Sequence, residues 1–136
     1  MKLLVTGWRE HADRELIYAT LAKFRLYLER AKWCADPALP VRLVHGAAPG
    51  ADRIAARIAR GFGWAVQGYP ADWAQYGLQA GPLRNKRMLN AEREGLDLCL
   101  AFPRPKGLMP PKAHSGTADM IRRCRLAGVP VLEVYR

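Results

Sequence analysis

The 136-residue sequence has no apolar run long enough to cross a bilayer, no CxxC pair and only three cysteines (Cys34, Cys99 and Cys124). The first absence excludes a transmembrane helix. The charged stretch that follows Thr6-Gly7 excludes a secretory signal peptide. Widely spaced cysteines in odd number are typical of reduced thiols in a cytosolic protein. We therefore expect a cytoplasmic protein in which Cys99 and Cys124, whose neighbours are apolar, are buried.

Acidic residues are also scarce, because 12 Asp and Glu stand against 22 Lys and Arg, which gives a net charge of +10. Such a surface favours anionic partners but does not distinguish a small phosphate compound from a nucleic acid. Part of the excess is expected to serve solvation, since Arg53, Arg57 and Arg60 are placed on the outer face of a predicted helix. The remaining composition, half hydrophobic and one quarter charged, is that of an ordinary globular domain.

Short apolar runs alternate with segments of helical periodicity. Strands are predicted at residues 2–6, 41–44, 64–69, 97–102 and 129–135, and helices at residues 12–33, 51–62, 82–94 and 115 to about 127. Residues 71–81 are predicted as a loop with room for a short helical turn, and the proline-rich residues 103–114 as an irregular loop. This order predicts one α/β domain over residues 1–136, a Rossmann-like doubly wound sheet of about five parallel strands with flanking helices.

Ligands of doubly wound sheets bind beyond the carboxyl ends of the strands, near the point where the strand order reverses. On this edge the sequence places Gly7-Trp8-Arg9, residues 45–52, residues 69–73 and the segment that reaches Ser115-Gly116-Thr117. These segments are the candidate ligand site.

Residues 45–52 join a predicted strand to a helix start. Gly46 and Gly50 allow a ligand to approach the backbone, and the free N–H groups of a helix start bind oxyanions. The alternative is a plain turn, in which Asp52 complements the helix dipole. Asp52 repels phosphate, so it is better suited to accept hydrogen bonds from ribose hydroxyl groups.

Ser115-Gly116-Thr117 is a second helix start on the same edge. Ser115 is suited to cap the helix, but two such starts on one edge favour anion binding over capping alone.

Two further pairs of residues are candidates for ligand contact. Trp8 is suited to stack on a base and Arg9 to pair with phosphate. The alternative is an aromatic side chain that covers the sheet edge beside a solvated arginine. Arg84 and Asn85, in the first turns of a helix, face either the ligand or water.

Metal binding and triad chemistry are not favoured. His45 shares no ligand spacing with His11 or His114, so no metal or other cofactor is predicted. Nothing in the sequence positions His45, Ser115 and an aspartate as a catalytic triad.

Six short segments form an ordered series along nearly the whole chain. They are Gly7-x-Arg9, His45-Gly46-x-x-x-Gly50-Ala51-Asp52, Pro70-x-Asp72-Trp73, Ala80-Gly81-x-x-Arg84-Asn85-x-x-Met88, Ser115-Gly116-Thr117-x-Asp119-Met120 and Ala127-Gly128-x-Pro130-Val131. The series resembles the SLOG superfamily, named for the SMF/DprA and LOG proteins, and specifically its YspA-like, YpsA-related branch. The resemblance implies a Rossmann-like fold and a nucleotide or nucleotide-derived ligand. It also implies a bacterial or phage protein of a group whose members are predicted sensors or binding proteins.

The LOG enzymes of this superfamily are phosphoribohydrolases with a catalytic glutamate. The resemblance aligns Met120 with that glutamate, and Asp119 lies one position before it. Because one helical residue turns a side chain by about 100 degrees, Asp119 does not simply replace it. Phosphate binding depends on the backbone and the helix start, so we expect it to be retained with methionine at position 120.

Three functions follow in order of preference. The first is binding of a phosphate-bearing, nucleotide-like small molecule by a ligand-sensing module. Here Arg9, Arg84 and the two helix starts hold phosphate, Trp8 or Trp73 flanks the base, and Asp52 or Asp72 meets the ribose. The second is hydrolysis of an N-glycosidic bond with Asp72 or Asp119 as the acid–base group. The third is DprA-like binding of single-stranded nucleic acid, which we expect to be weak and non-specific. The sequence leaves both a monomer and a homodimer as alternatives, and no membrane partner is expected.

Overall fold

The computed structural model describes residues 1–30, 41–108 and 115–136. Its strands are β1 (Lys2–Gly7), β2 (Arg42–His45), β3 (Ala65–Gly68), β4 (Leu98–Phe102) and β5 (Val131–Glu133). Its helices are α1 (Arg14–Arg30), α2 (Ala51–Gly61), α3 (Trp73–Tyr76), α4 (Ala80–Glu92) and α5 (Gly116–Leu126), and a 3₁₀ turn spans Gly77–Gln79. The predicted end of the first helix at Trp33, together with Cys34 and His114, lies outside the described residues.

The five strands form one all-parallel sheet in the order β3-β2-β1-β4-β5. β1 is central, and its Leu4 lies opposite Val44 of β2 and Cys99 of β4. The predicted Rossmann-like α/β fold with about five parallel strands is therefore confirmed. The order reverses between β1 and β4, so the connections that leave these two strands turn towards opposite faces of the sheet.

Alternation along β1 divides the interior into two layers, because successive side chains of a strand point to opposite faces. Leu3 and Val5 pack with α1 and α2, in a core that includes Ile17 and Ala55. Leu4 faces the opposite layer, whose buried residues come from β2, β4, α4 and α5 and include Val44, Met88, Cys99, Met120 and Cys124. The predicted burial of Cys99 and Cys124 is confirmed.

The boundaries differ most from prediction in two places. Residues 71–81 are largely helical, because the Asp72 carboxylate accepts the Gln75 N–H at 3.1 Å and starts α3. The following helix α4 begins at Ala80, which leaves Pro82 in its first turn, where no N–H is needed. β5 is shorter than residues 129–135, although sheet hydrogen bonds continue from the Pro130 carbonyl to the Val134 N–H. Within the described ranges, no helix is both long and apolar enough to traverse a bilayer.

Candidate functional site

The carboxyl ends of β1 and β4 define the centre of the candidate site. The Trp8 N–H, directly after β1, donates to the Phe102 carbonyl at the end of β4 at 2.9 Å. α2 starts after β2 on one face of the sheet, and α5 follows β4 on the other. This is the strand-order reversal at which ligands of doubly wound sheets bind.

Gly7 and Gly50 serve close packing between two loops of this edge. A Cβ atom at Gly7 would overlap the Cβ of Ala51, and one at Gly50 would overlap the carbonyl oxygens of Trp8 and Arg9. Gly50 also has a φ of 80°, which L side chains rarely adopt. The Ala51 N–H donates to the Trp8 carbonyl at 3.3 Å. These contacts lock the loop after β1 against the start of α2.

Asp52 lies beneath the loop that precedes α2 and is 4% exposed. Its Oδ2 accepts the N–H groups of Gly46 at 2.9 Å and of Ala48 at 3.4 Å, whereas its Oδ1 has no hydrogen-bond partner among the described residues. Burial raises the pKa of Asp52 to about 7, and the positive charge of Arg84 opposes this rise. In this structure Asp52 shapes the loop from inside, a position different from the predicted contact with ribose.

His45 at the end of β2 is a buried, neutral imidazole. Its Nδ1 accepts the Ala47 N–H at 2.9 Å, so the proton is assigned to Nε2, which has no partner within the described part of the chain. Burial and the nearby Arg60 and Arg84 lower the pKa of His45 to about 4. His45 supports the loop, and Gly68 of the neighbouring strand leaves room for its ring.

Arg84 of α4 holds the ends of β2 and β3 together. Its guanidinium donates to the carbonyl oxygen of Gly46 and, at 3.3 Å, to that of Tyr69. Its Nε donates to the Asn85 side-chain oxygen at 2.9 Å. A Cβ atom at Gly46 would collide with the Arg84 guanidinium. Gly46 therefore makes room for Arg84, and a valine there would disturb this arginine directly.

Asn85 continues the connection to the second helix start. Its side chain is 2% exposed, and its Nδ2 donates to the Gly116 carbonyl at 3.1 Å and to Asp119 Oδ2 at 3.0 Å. Arg84 and Asn85 thus link the loop before α2 to the first turn of α5 through consecutive hydrogen bonds. The structure thus brings together all four segments that the sequence placed on this edge.

The start of α5 combines a capping serine with an open glycine. Ser115 Oγ accepts the Ala118 N–H at 3.2 Å, which is the predicted capping contact. Thr117 is buried, whereas Gly116 is exposed and a Cβ atom there would have no described neighbour within 4 Å. On its Cβ side, Gly116 is thus not covered by any residue that the structure describes.

Asp119, and not Met120, belongs to the polar network of α5. The Asp119 carboxylate accepts hydrogen bonds from Asn85, from Arg122 at 3.0 Å and from Arg123 at 2.8 Å. Burial raises the pKa of Asp119, but the bonds from Arg123, Asn85 and Arg122 outweigh it, so the pKa lies below its ordinary value. Met120 is fully buried in the core beside α4. The position aligned with the LOG glutamate therefore points away from the candidate site.

The aromatic residues of the edge differ in their availability. Trp8 packs edge-on against His11, with ring centroids 6.4 Å apart. Trp73 is 45% exposed, and the Arg9 guanidinium lies 5.2 Å from its ring centre. Asp72 caps α3 and is exposed. Trp73, beside Arg9, is therefore more exposed than Trp8, which is half-buried.

One contributor to this edge, His11, was absent from the sequence-based site, and another, Tyr69, was placed there only as part of residues 69–73, without a role of its own. His11 is buried and packs edge-on against Phe102, which supports Trp8 from below. Tyr69 contributes a backbone carbonyl to Arg84. A backbone acceptor leaves no signal in a sequence, and His11 follows Arg9 without a motif that marks it.

The fold and this edge define the class of the protein, a Rossmann-like α/β protein with a polar, arginine-bearing edge where the strand order reverses. Comparison with known proteins specifies the family. The sequence model of the YspA, cpYpsA-related SLOG family matches residues 1–76. The chain is also 35% identical over 136 residues to the Gene 61 protein of Mycobacterium phage D29, with 96% of this chain and 94% of that protein covered. The chain belongs to the YspA, cpYpsA-related SLOG family, as the motif series predicted.

Proposed function

We propose that this protein binds a nucleotide or nucleotide-derived, phosphate-bearing small molecule at the carboxyl edge of its sheet and acts as a ligand-sensing module. The observation that carries the proposal is the Arg84–Asn85 link between the loop before α2 and the open start of α5. It rigidifies two helix starts on one edge, beside the guanidinium of Arg9. Family membership supports the same class of ligand.

In this proposal the phosphate binds at the start of α5. Gly116 is open there, and a helix start offers N–H groups and a positive dipole end to an anion. The loop before α2 is less available, since Asp52 already accepts the N–H groups of Gly46 and Ala48. Arg9 supplies positive charge, and Trp73, on which it stacks, flanks the base.

We expect Gly116→Val to weaken AMP binding at least tenfold while the protein stays folded. The new side chain enters space that no described atom occupies, where in this proposal the phosphate binds. Gly61→Val is the matched control, because Gly61 lies at the far end of α2 and its Cβ position is equally open. Titration calorimetry with AMP measures the affinity, and native mass spectrometry of the purified protein identifies a co-purifying molecule. Equal AMP affinity in wild type and Gly116→Val would remove the start of α5 from the site.

The outer face of α2 favours nucleic-acid binding as a second candidate function. Arg53, Arg57 and Arg60 are exposed on one side of this helix, within about 10 Å along its axis. Among the described residues, none of the three forms a salt bridge. A row of arginines of this kind can contact the phosphate backbone but makes no contact with base edges, so this binding would not depend on the nucleotide sequence.

We expect binding to a single-stranded 20-mer to fall roughly 20-fold between 50 and 200 mM salt, since three phosphate contacts release about two counterions. Replacing Arg53, Arg57 and Arg60 by glutamine should remove this salt dependence. A second triple variant, with Arg14, Lys86 and Arg93 replaced by glutamine, changes the net charge equally at exposed positions elsewhere. Fluorescence anisotropy measures the oligonucleotide affinity of both triple variants. Tight binding that persists at high salt would promote nucleic acid to the first function.

A further inference from the structure

Asp52 is a buried carboxylate without a salt bridge among the described residues. It occupies the second position of α2, directly below the loop of the candidate site, and Oδ2 makes both of its hydrogen bonds. Oδ1 is inaccessible to solvent and has no partner within the described part of the chain. A buried charge of this kind is costly unless it is paired or neutralised.

Four elements contribute charged or titratable groups to the surroundings of Asp52. Arg9, after β1, and Arg84, on α4, act on it through their positive charges. His45, on β2, is neutral at physiological pH because its pKa is lowered to about 4. Cys99, on β4, stays a neutral thiol, since its hydrogen bond with Cys124 and its burial raise its pKa. The two arginines are therefore the positive charges that favour the ionised form of Asp52, against the burial that raises its pKa to about 7.

The same two arginines flank the edge where the proposed ligand binds. A phosphate there and an ionised Asp52 would compete for the same positive charges and would repel each other. A proton on Oδ1 removes this conflict, and Oδ2 still accepts the loop N–H groups. The loop keeps its shape in either protonation state.

We propose that Asp52 is a positioning residue that takes up one proton from solvent when the phosphate-bearing ligand binds and returns it when the ligand leaves. This inference rests on the proposed function. Ligand affinity is then higher at acidic than at alkaline pH, because the protonated form of Asp52 is the binding form. Asp52→Asn imitates that form, since an amide oxygen accepts the same N–H groups.

The test is calorimetric titration of AMP from pH 6 to pH 9 into wild type and Asp52→Asn. We expect the affinity of wild type relative to the variant to fall about tenfold, which corresponds to a rise of one unit in the Asp52 pKa on binding. The ratio of the two proteins cancels the titration of AMP itself. Glu94→Gln is the control, because Glu94 is exposed and precedes β4 at the opposite edge of the sheet; it should follow wild type.

A second measurement uses wild type alone, in case Asp52→Asn does not fold. At pH 8 the phosphate of AMP is already a dianion, so titrations in buffers of different ionisation enthalpy count protons taken up by the protein. Uptake of about 0.4 proton per bound AMP, which a rise of one unit from a pKa of about 7 requires at pH 8, supports the inference, and no uptake overturns it. Parallel affinity profiles of wild type and Asp52→Asn would overturn it and leave the proposed function standing. No binding of AMP and no thermal stabilisation by sulfate at any pH would overturn both.

Discussion

Replacing Met120 by glutamate is expected to destabilise the protein by several kcal/mol and to create no enzyme. Alignment with the LOG enzymes suggests that this change restores a catalytic acid, but Met120 is 0% exposed and packs in the core with Leu4, Val44 and Met88. A carboxylate there would lie among apolar side chains without a partner, one of the few changes that costs more than an ordinary substitution.

Urea unfolding at pH 7 measures the effect. Met120→Leu is the matched control, because it conserves volume and apolarity and should cost less than about 1.5 kcal/mol. A Met120→Glu protein as stable as Met120→Leu would show that this side chain reaches solvent and would return position 120 to the candidate site.

The same geometry predicts no release of free base from AMP by the wild type. Asp119 is the acid that lies in the polar network, and its pKa below the ordinary value keeps it ionised at neutral pH. An ionised carboxylate cannot protonate a departing base, and general acid–base help is typically worth about 10²- to 10⁴-fold in rate. Chromatography of reaction mixtures tests this expectation. Base release that disappears in Asp119→Asn would favour the hydrolase over the binding module.

The fold was predictable because its pattern is local. Apolar runs of four to seven residues between amphipathic helices specify parallel strands, and the structure confirms all five. The sequence likewise placed Gly46 and Gly116 on one edge and left Arg84 and Asn85 to face either the ligand or water; in the structure hydrogen bonds connect all four. Segments of a parallel sheet reach the same edge whatever their side chains do, so their convergence follows from topology alone.

The direction of individual side chains was not predictable. A motif alignment fixes the position of a residue along a helix, but the side chains of two consecutive helical residues point about 100 degrees apart. For this reason Asp119 lies in the polar network, whereas Met120 lies in the core. Asp52 shows the same limit, since the sequence marks a carboxylate at a helix start without showing that it turns inwards. Trp8 and Trp73 were equivalent candidates until packing against His11 distinguished them.

The ligand-free protein should show opposite pH dependences of stability in two variants, Asp52→Asn and His45→Asn. The pKa of Asp52 rises from 3.8 to about 7 on folding, so its stabilising contribution is complete below pH 4 and is lost as the pH rises to 7. Three pKa units correspond to about 4 kcal/mol. The pKa of His45 falls from 6.5 to about 4 on folding, so its contribution is complete above pH 6.5 and is lost as the pH falls to 4. In wild type, as the pH rises from 4 to 6.5, the stabilising contribution of Asp52 decreases while that of His45 increases.

Each variant removes one of these two pH-dependent contributions to stability. At position 52 the asparagine oxygen still accepts the loop N–H groups, and at position 45 it still accepts the Ala47 N–H. The free energy of unfolding of Asp52→Asn, relative to wild type, should therefore rise by about 4 kcal/mol from pH 4 to pH 8. That of His45→Asn should fall over pH 4 to 6.5. Denaturant unfolding at each pH gives both differences, and groups common to the three proteins, such as His11, cancel. If the Asp52→Asn difference were flat, Asp52 would titrate at its ordinary pKa, and the carboxylate would reach water in solution.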